Sequence, residues 1–140
     1  MKSVLKLIVD GNQTIESIKR DFNKAYPFLK IEFFKDPQVR GVGSEKNKMY
    51  QTDWVELRTV QKKSNAGTLL INGERTVQEL ENEFEQQYGL YIQVFRRSGK
   101  VWLATSVTDK WTLDEQNEEA KKFSERIRVE RENPDDHDIY

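Results

Sequence analysis

At 140 residues, with hydrophobic residues at 36% and charged residues at 34%, the chain is the size of one domain and must concentrate its apolar side chains on a few faces. It has no cysteine, which excludes a disulfide framework, a thiolate nucleophile and every Cys-ligated metal site. The net charge of −1 hides an asymmetry: residues 1–63 hold 13 Lys or Arg against 8 Asp or Glu, whereas residues 64–140 hold 10 against 16. Two such halves attract each other within a molecule or head-to-tail between molecules; the plainer reading is two solvated surfaces.

The N-terminal MKSVLKLIVDG is apolar but short and broken by Lys2 and Lys6. It does not make a secretory signal, and no stretch approaches the roughly 20 apolar residues of a membrane span. A soluble, cytoplasmic chain that does not enter a membrane is expected. VLKLIV at 4–9 reads as a strand closed by a Gly-containing turn. A helix follows, capped by Thr14, with Ile15, Ile18, Phe22 and Tyr26 on one face and Pro27 as its stop. LKIEFF at 29–34 alternates as a strand does, with Ile31 and Phe33 facing a core and Glu32 facing away. KDPQVRGVGSEKNKMYQ at 35–51 predicts a long mobile loop. TDWVELRT at 52–59 then carries Asp53 and Glu56 at the spacing of a helix start, with Trp54 placed to pack beside the cap.

The pattern now begins again. LINGERTVQELENEFEQQYGLY at 70–91 overlays IVDGNQTIESIKRDFNKAYPFL at 8–29 with a constant offset of 62, aligning Gly11 with Gly73, Thr14 with Thr76, Phe22 with Phe84 and Tyr26 with Tyr88. Thr76 and Glu79 have the capping-box spacing, and Gly89 stops the second helix where Pro27 stops the first. YIQVFR at 91–96 matches LKIEFF at an offset of 61, with Ile92 and Val94 inward. VFRRSGKVWLATSV predicts a hairpin about Ser98 and Gly99, placing Phe95 opposite Trp102 and Val94 opposite Leu103, with Leu103 inward. TDKWTLDEQN at 108–117 echoes TDWVELRT: Asp109, Thr112 and Glu115 fit a helix start and Trp111 a packing anchor. That helix continues to Glu132 with Leu113, Ala120, Phe123 and Ile127 as its apolar face, and NPDDHDIY at 133–140 reads as a flexible acidic tail.

These elements predict an α+β fold: a single domain, residues 1–132, of two tandem strand-helix-strand repeats (1–63 and 64–132) sharing one mixed β-sheet, with helices packed mainly on one face and right-handed crossovers. The run TVQELENEFEQQYGLYIQVFRRSGKVWL from Thr76 to Leu103, followed by TDKWTLDEQN, resembles a group of small bacterial cytosolic proteins. YPFLKIEFFKDP, ahead of its Gly- and Lys-rich loop, is similar to the first half of the same proteins. The resemblance covers most of residues 4–120 and implies no activity, cofactor or catalytic residue.

Catalytic chemistry finds little to stand on. The sole histidine, His137 in DDHD, would have to serve any metal site or Ser/His/Asp triad from the acidic tail. Asp53 and Asp109 are the recurrent carboxylates, and helix capping already accounts for them. RRSGK at 96–100 lacks the spacing of a phosphate loop, and DGNQT and NGERT each hold the single Gly of a turn. No catalytic, cofactor or metal residue is assigned. The candidate binding surface is the outer face of the hairpin, Phe34, Tyr91, Phe95 and Trp102 with Arg97 and Lys100 at its rim. In order of preference, such a face is covered by the helix after Trp111, meets a protein, or stacks single-stranded nucleic acid. The leading expectation is a non-catalytic protein-interaction or self-association module. Single-stranded nucleic-acid binding comes next, then a small enzyme or ligand-binding protein with a pocket between the repeats.

Overall fold

The structure, a computed structural model, describes residues 4–37 and 48–132, the last two by backbone alone. The central part of the predicted loop, residues 38–47, and the predicted acidic tail with His137 lie outside the described residues. In chain order the elements are β1 (Val4–Val9), α1 (Ile15–Ala25), β2 (Leu29–Phe34), a short 3-10 turn (Leu57–Thr59), β3 (Gly67–Asn72), α2 (Val77–Tyr88), β4 (Tyr91–Ser98), β5 (Val101–Ala104) and α3 (Leu113–Glu132). The fold is α+β. Among the described residues no helix is long and apolar enough to cross a membrane.

The expected single mixed sheet is replaced by two separate antiparallel sheets, one of order β1-β3 and one of order β2-β4-β5. β1 and β2 each bond to a strand of residues 64–132 rather than to each other. β1 pairs with β3 with Leu7 opposite Leu69, and β2 pairs with β4 with Glu32 opposite Gln93. Those are the residues that the offsets of 62 and 61 make equivalent. Since β1 and β2 fall in different sheets, no parallel crossover forms and the question of its hand does not arise. The helices consequently do not line one face of one sheet. α1 packs against both β1 and β2, α2 against β4, and α3 against β4 and the end of β2.

One cluster of buried hydrophobic side chains unites these layers. β1 and β3 contribute Leu7, Val9, Leu69 and Ile71, the larger sheet Ile31, Phe33, Ile92 and Val94, and the first two helices Ile15, Ile18, Phe22, Val77, Leu80 and Phe84. The alternation of the strands and the three-four spacing of the helices produce this arrangement directly. Each such side chain stabilises the fold by roughly 1.5–3 kcal/mol relative to exposure. Phe33 of β2 meets Phe84 of α2 edge-on at a centroid distance of 6.4 Å, an aromatic contact joining the two halves.

The hairpin turns one residue further along than predicted, which moves its pairing register by two. Ser98 pairs with Val101, so the turn is Gly99–Lys100, Arg97 lies opposite Trp102 and Phe95 opposite Ala104. Gly99 decides this register. Its φ of 63° is the positive value that a type II′ turn needs at its first central position. A shift of two keeps every side chain on its predicted face, but it extends the strand beyond the core. Leu103 is therefore 44% exposed rather than inward.

Candidate interaction surface

The duplicated TDWVEL and TDKWTL segments, the first candidates for a site, are helix-capping devices that work mainly through their backbone. In the first half, the Val55 carbonyl accepts from Ile15 N–H at 3.0 Å and the Asp53 carbonyl from Glu16 N–H at 2.8 Å. In the second half, the Trp111 carbonyl accepts from Val77 N–H at 3.1 Å and the Asp109 carbonyl from Gln78 N–H at 2.8 Å. Each segment thus satisfies two of the four amides that a helix start leaves without partners. Threonine side chains supply a further bond in each half, Thr14 accepting from Ser17 N–H and Thr76 from Glu79 N–H.

This geometry corrects two expectations. Asp53 and Glu56 do not cap a helix of their own: only the 3-10 turn follows, without a side-chain cap. The Asp53 carboxylate instead accepts from Lys19 at 2.9 Å. Trp54 and Trp111 are not structural equivalents either, because the matching bonds pair Trp111 with Val55. Trp54 is 76% exposed and staples nothing, whereas the Arg96 guanidinium lies over the Trp111 ring at 5.3 Å. Thr112 and Glu115 do form the predicted box, exchanging bonds of 3.1 and 2.9 Å at the start of α3.

Beneath the larger sheet the two halves differ in charge. Glu32 on β2 is buried between two ammonium groups, Lys19 at 2.7 Å and Lys30 at 2.9 Å. At the matching place Glu81 of α2 accepts from the Val94 amide at 3.0 Å and the Gln93 side chain at 3.3 Å. Burial works against the Lys19 charge, but hydrogen bonds and attraction from Glu32 and Asp53 outweigh it and raise the Lys19 pKa above its ordinary value. With one ammonium on each of its oxygens, Glu32 acts as an ion-pair hub tying α1 to β2.

The candidate surface divides into two parts. Phe34 is buried, 4% exposed, and forms an isolated bridge with Met49; it lies opposite Tyr91, which is half-buried. At the other end Phe95 and Trp102 are half-buried and hold cations over their rings. Lys30 Nζ stands 5.5 Å from the Phe95 centroid and 5.1 Å from that of Trp102, and Arg97 lies 5.6 Å from Trp102. Lys100 is exposed at the turn. Sequence reasoning missed Lys30. Its signal was the alternation of LKIEFF, but only the antiparallel pairing of β2 with β4 sets it opposite Phe95.

α3 does not cover this aromatic face. It packs on the opposite side of β4, where Arg96 donates to Gln116 at 3.1 Å, and its Asn117 accepts from the Phe28 amide at 3.0 Å. A groove of about 380 Å³ separates the hairpin turn from the later part of α3, with Phe28, Arg97, Lys100, Ser124 and Ile127 on its walls. A second groove of about 430 Å³ runs along the first turns of α3 beside Trp111, Asp114, Glu115 and Glu118.

β5 is an edge strand of the larger sheet, and among the described residues no strand pairs with its outer side. The bond from Thr105 N–H to the Val94 carbonyl sets the phase of its ladder. Val101 and Leu103 therefore turn their backbone groups toward β4, while Trp102 and Ala104 turn theirs outward. Comparisons with protein-family models, curated proteins and solved structures found no match to the chain.

Proposed function

We propose that the protein is a non-catalytic interaction module that docks a partner along the edge of β5. The observation that carries this reading is the free edge itself. Val101–Ala104 is an uninterrupted apolar run that, among the described residues, pairs on one side only, with Val101 at 56% and Leu103 at 44% exposure. Sheet proteins ordinarily protect an edge with a charge, a proline or a bulge, and β5 contains none of the first two. A partner strand that adds to such an edge gains main-chain hydrogen bonds and covers the apolar side chains. Stacking of nucleic acid is less well supported, since both hairpin rings already carry a cation that a base would have to displace.

Photo-crosslinking in cells tests the reading. A photoreactive residue at position 103 is expected to give adducts that the same residue at the more exposed position 54 does not give, and Ala104→Pro, which removes one outward N–H, is expected to abolish them. Equal labelling from both positions, or adducts indifferent to Ala104→Pro, would sink it. Adducts of twice the chain mass would identify the partner as a second copy.

We also infer that residues 1–63 and 64–132 are tandem copies of one strand-helix-strand unit. The constant offset, the facing of Leu7 with Leu69 and the matched capping bonds support this origin. Replacing DGNQT at 10–14 with NGERT is expected to leave cooperative unfolding intact, and loss of folding in the chimera would count against it.

A further inference from the structure

We propose that the segment received by β5 is an extended strand of a partner protein in which acidic and apolar residues alternate. The inference rests on the edge-docking reading and adds the chemistry of the occupant. From Tyr91 to Ala104, the whole β4-turn-β5 hairpin, the chain contains no carboxylate, while Arg96, Arg97 and Lys100 give it three positive charges. Lys30 of β2 stands on the aromatic face as well, over the Trp102 ring, with its charge already paired to Glu32. The one carboxylate of the adjoining strand, Glu32, is buried and taken up by Lys19 and Lys30.

The two faces of the edge differ. Opposite residues of paired strands share a face. A strand added outside β5 therefore sends alternate side chains toward Trp102, Arg97 and Lys30, and the others toward the exposed Val101 and Leu103. The first set meets cations and electron-rich rings whose charge is already met by those cations, so carboxylates suit it; the second meets bare aliphatic surface, so valine, leucine or isoleucine suits it. A second copy of β5 matches this pattern poorly. Its VWLA sequence brings no carboxylate to set against Arg97 and Lys30.

Three seven-residue probe peptides test the inference on the full chain: alternating valine and glutamate, alternating valine and lysine, and the first composition with its glutamates in one block. The readouts are the amide resonances of Trp102 and Ala104 and the salt dependence of binding. The alternating acidic peptide is expected to shift both amides, to bind at least about tenfold more tightly than either control, and to weaken by a similar factor from 50 to 500 mM NaCl. Arg97→Gln with Lys100→Gln is expected to remove most of that salt dependence. Ala104→Pro is expected to abolish binding, with Leu103→Lys as a second edge variant should the proline disturb the hairpin. If the lysine or block peptide binds as tightly as the acidic alternating one, the proposed partner chemistry is overturned while edge docking stands. If no peptide shifts the two amides, edge docking falls as well. An oligouridine that binds the same amides more tightly than the acidic peptide would overturn the proposal in favour of nucleic acid.

Discussion

At the scale of single residues, the two tryptophans of the repeated motif illustrate how similar letters can hold unlike positions. TDWV and TDKW invite alignment on their Trp, yet the backbone bonds align Val55 with Trp111 and leave Trp54 in solvent. Trp54→Ala is therefore expected to change stability by no more than about 0.5 kcal/mol. Trp111→Ala, which loses the Arg96 contact, is expected to cost about 1 kcal/mol or more. Urea denaturation of the two variants separates these outcomes, and equal effects would refute the structural alignment. The motif's recurrence and the Thr112–Glu115 cap of α3 were legible in the sequence, but its capping of α1 and α2 was not. The groups that act are main-chain carbonyls, which every residue possesses and no spacing of side chains reveals.

At the scale of elements, every strand and helix that shapes the core could be read from periodicity, and several ends from their caps. The box of Thr112 and Glu115 begins α3, whose Gln116 and Asn117 in turn hold Arg96 and the Phe28 amide. Thr112→Ala is expected to cost about 1 kcal/mol, read as a lower urea midpoint with little loss of helical circular dichroism; an unchanged midpoint would mean that packing alone sets the start of α3. What periodicity could not supply was the pairing of strands. Alternation says which residues of LKIEFF and YIQVFR face inward but is silent on which strand lies beside which, so two antiparallel sheets satisfy it as well as one mixed sheet does. The hairpin error had the same origin: the turn was recognised, and only the φ of Gly99 fixed which two residues formed it. The candidate surface inherited both gaps, missing Lys30 across the β2–β4 pair and overestimating the exposure of Phe34.

At the scale of the molecule, the resolved electrostatic shifts all point to alkaline sensitivity. Lys19 is raised as described, and burial raises Tyr26, Tyr50 and Tyr88, helped by the nearby carboxylates Asp114, Asp36 and Glu83 respectively. In each case the folded chain holds its proton more firmly than the unfolded chain. The resulting stabilisation is complete below the ordinary values of 10.0 for tyrosine and 10.5 for lysine and is lost as pH rises through the folded values. The urea midpoint is expected to fall with rising pH above about 10, and a midpoint that stays level to pH 11.5 would contradict these assignments.

The crossed pairing of β1 with β3 and of β2 with β4 also has a kinetic consequence. Every ladder between the halves joins residues roughly 60 positions apart, so chain must be searched over that distance before the first inter-half ladder forms. Neither half can complete a core sheet while the other is still being synthesised. During translation β1 and β2 wait for their ladder partners until β3 and β4 emerge, with β2 meanwhile bridged only from Phe34 to Met49.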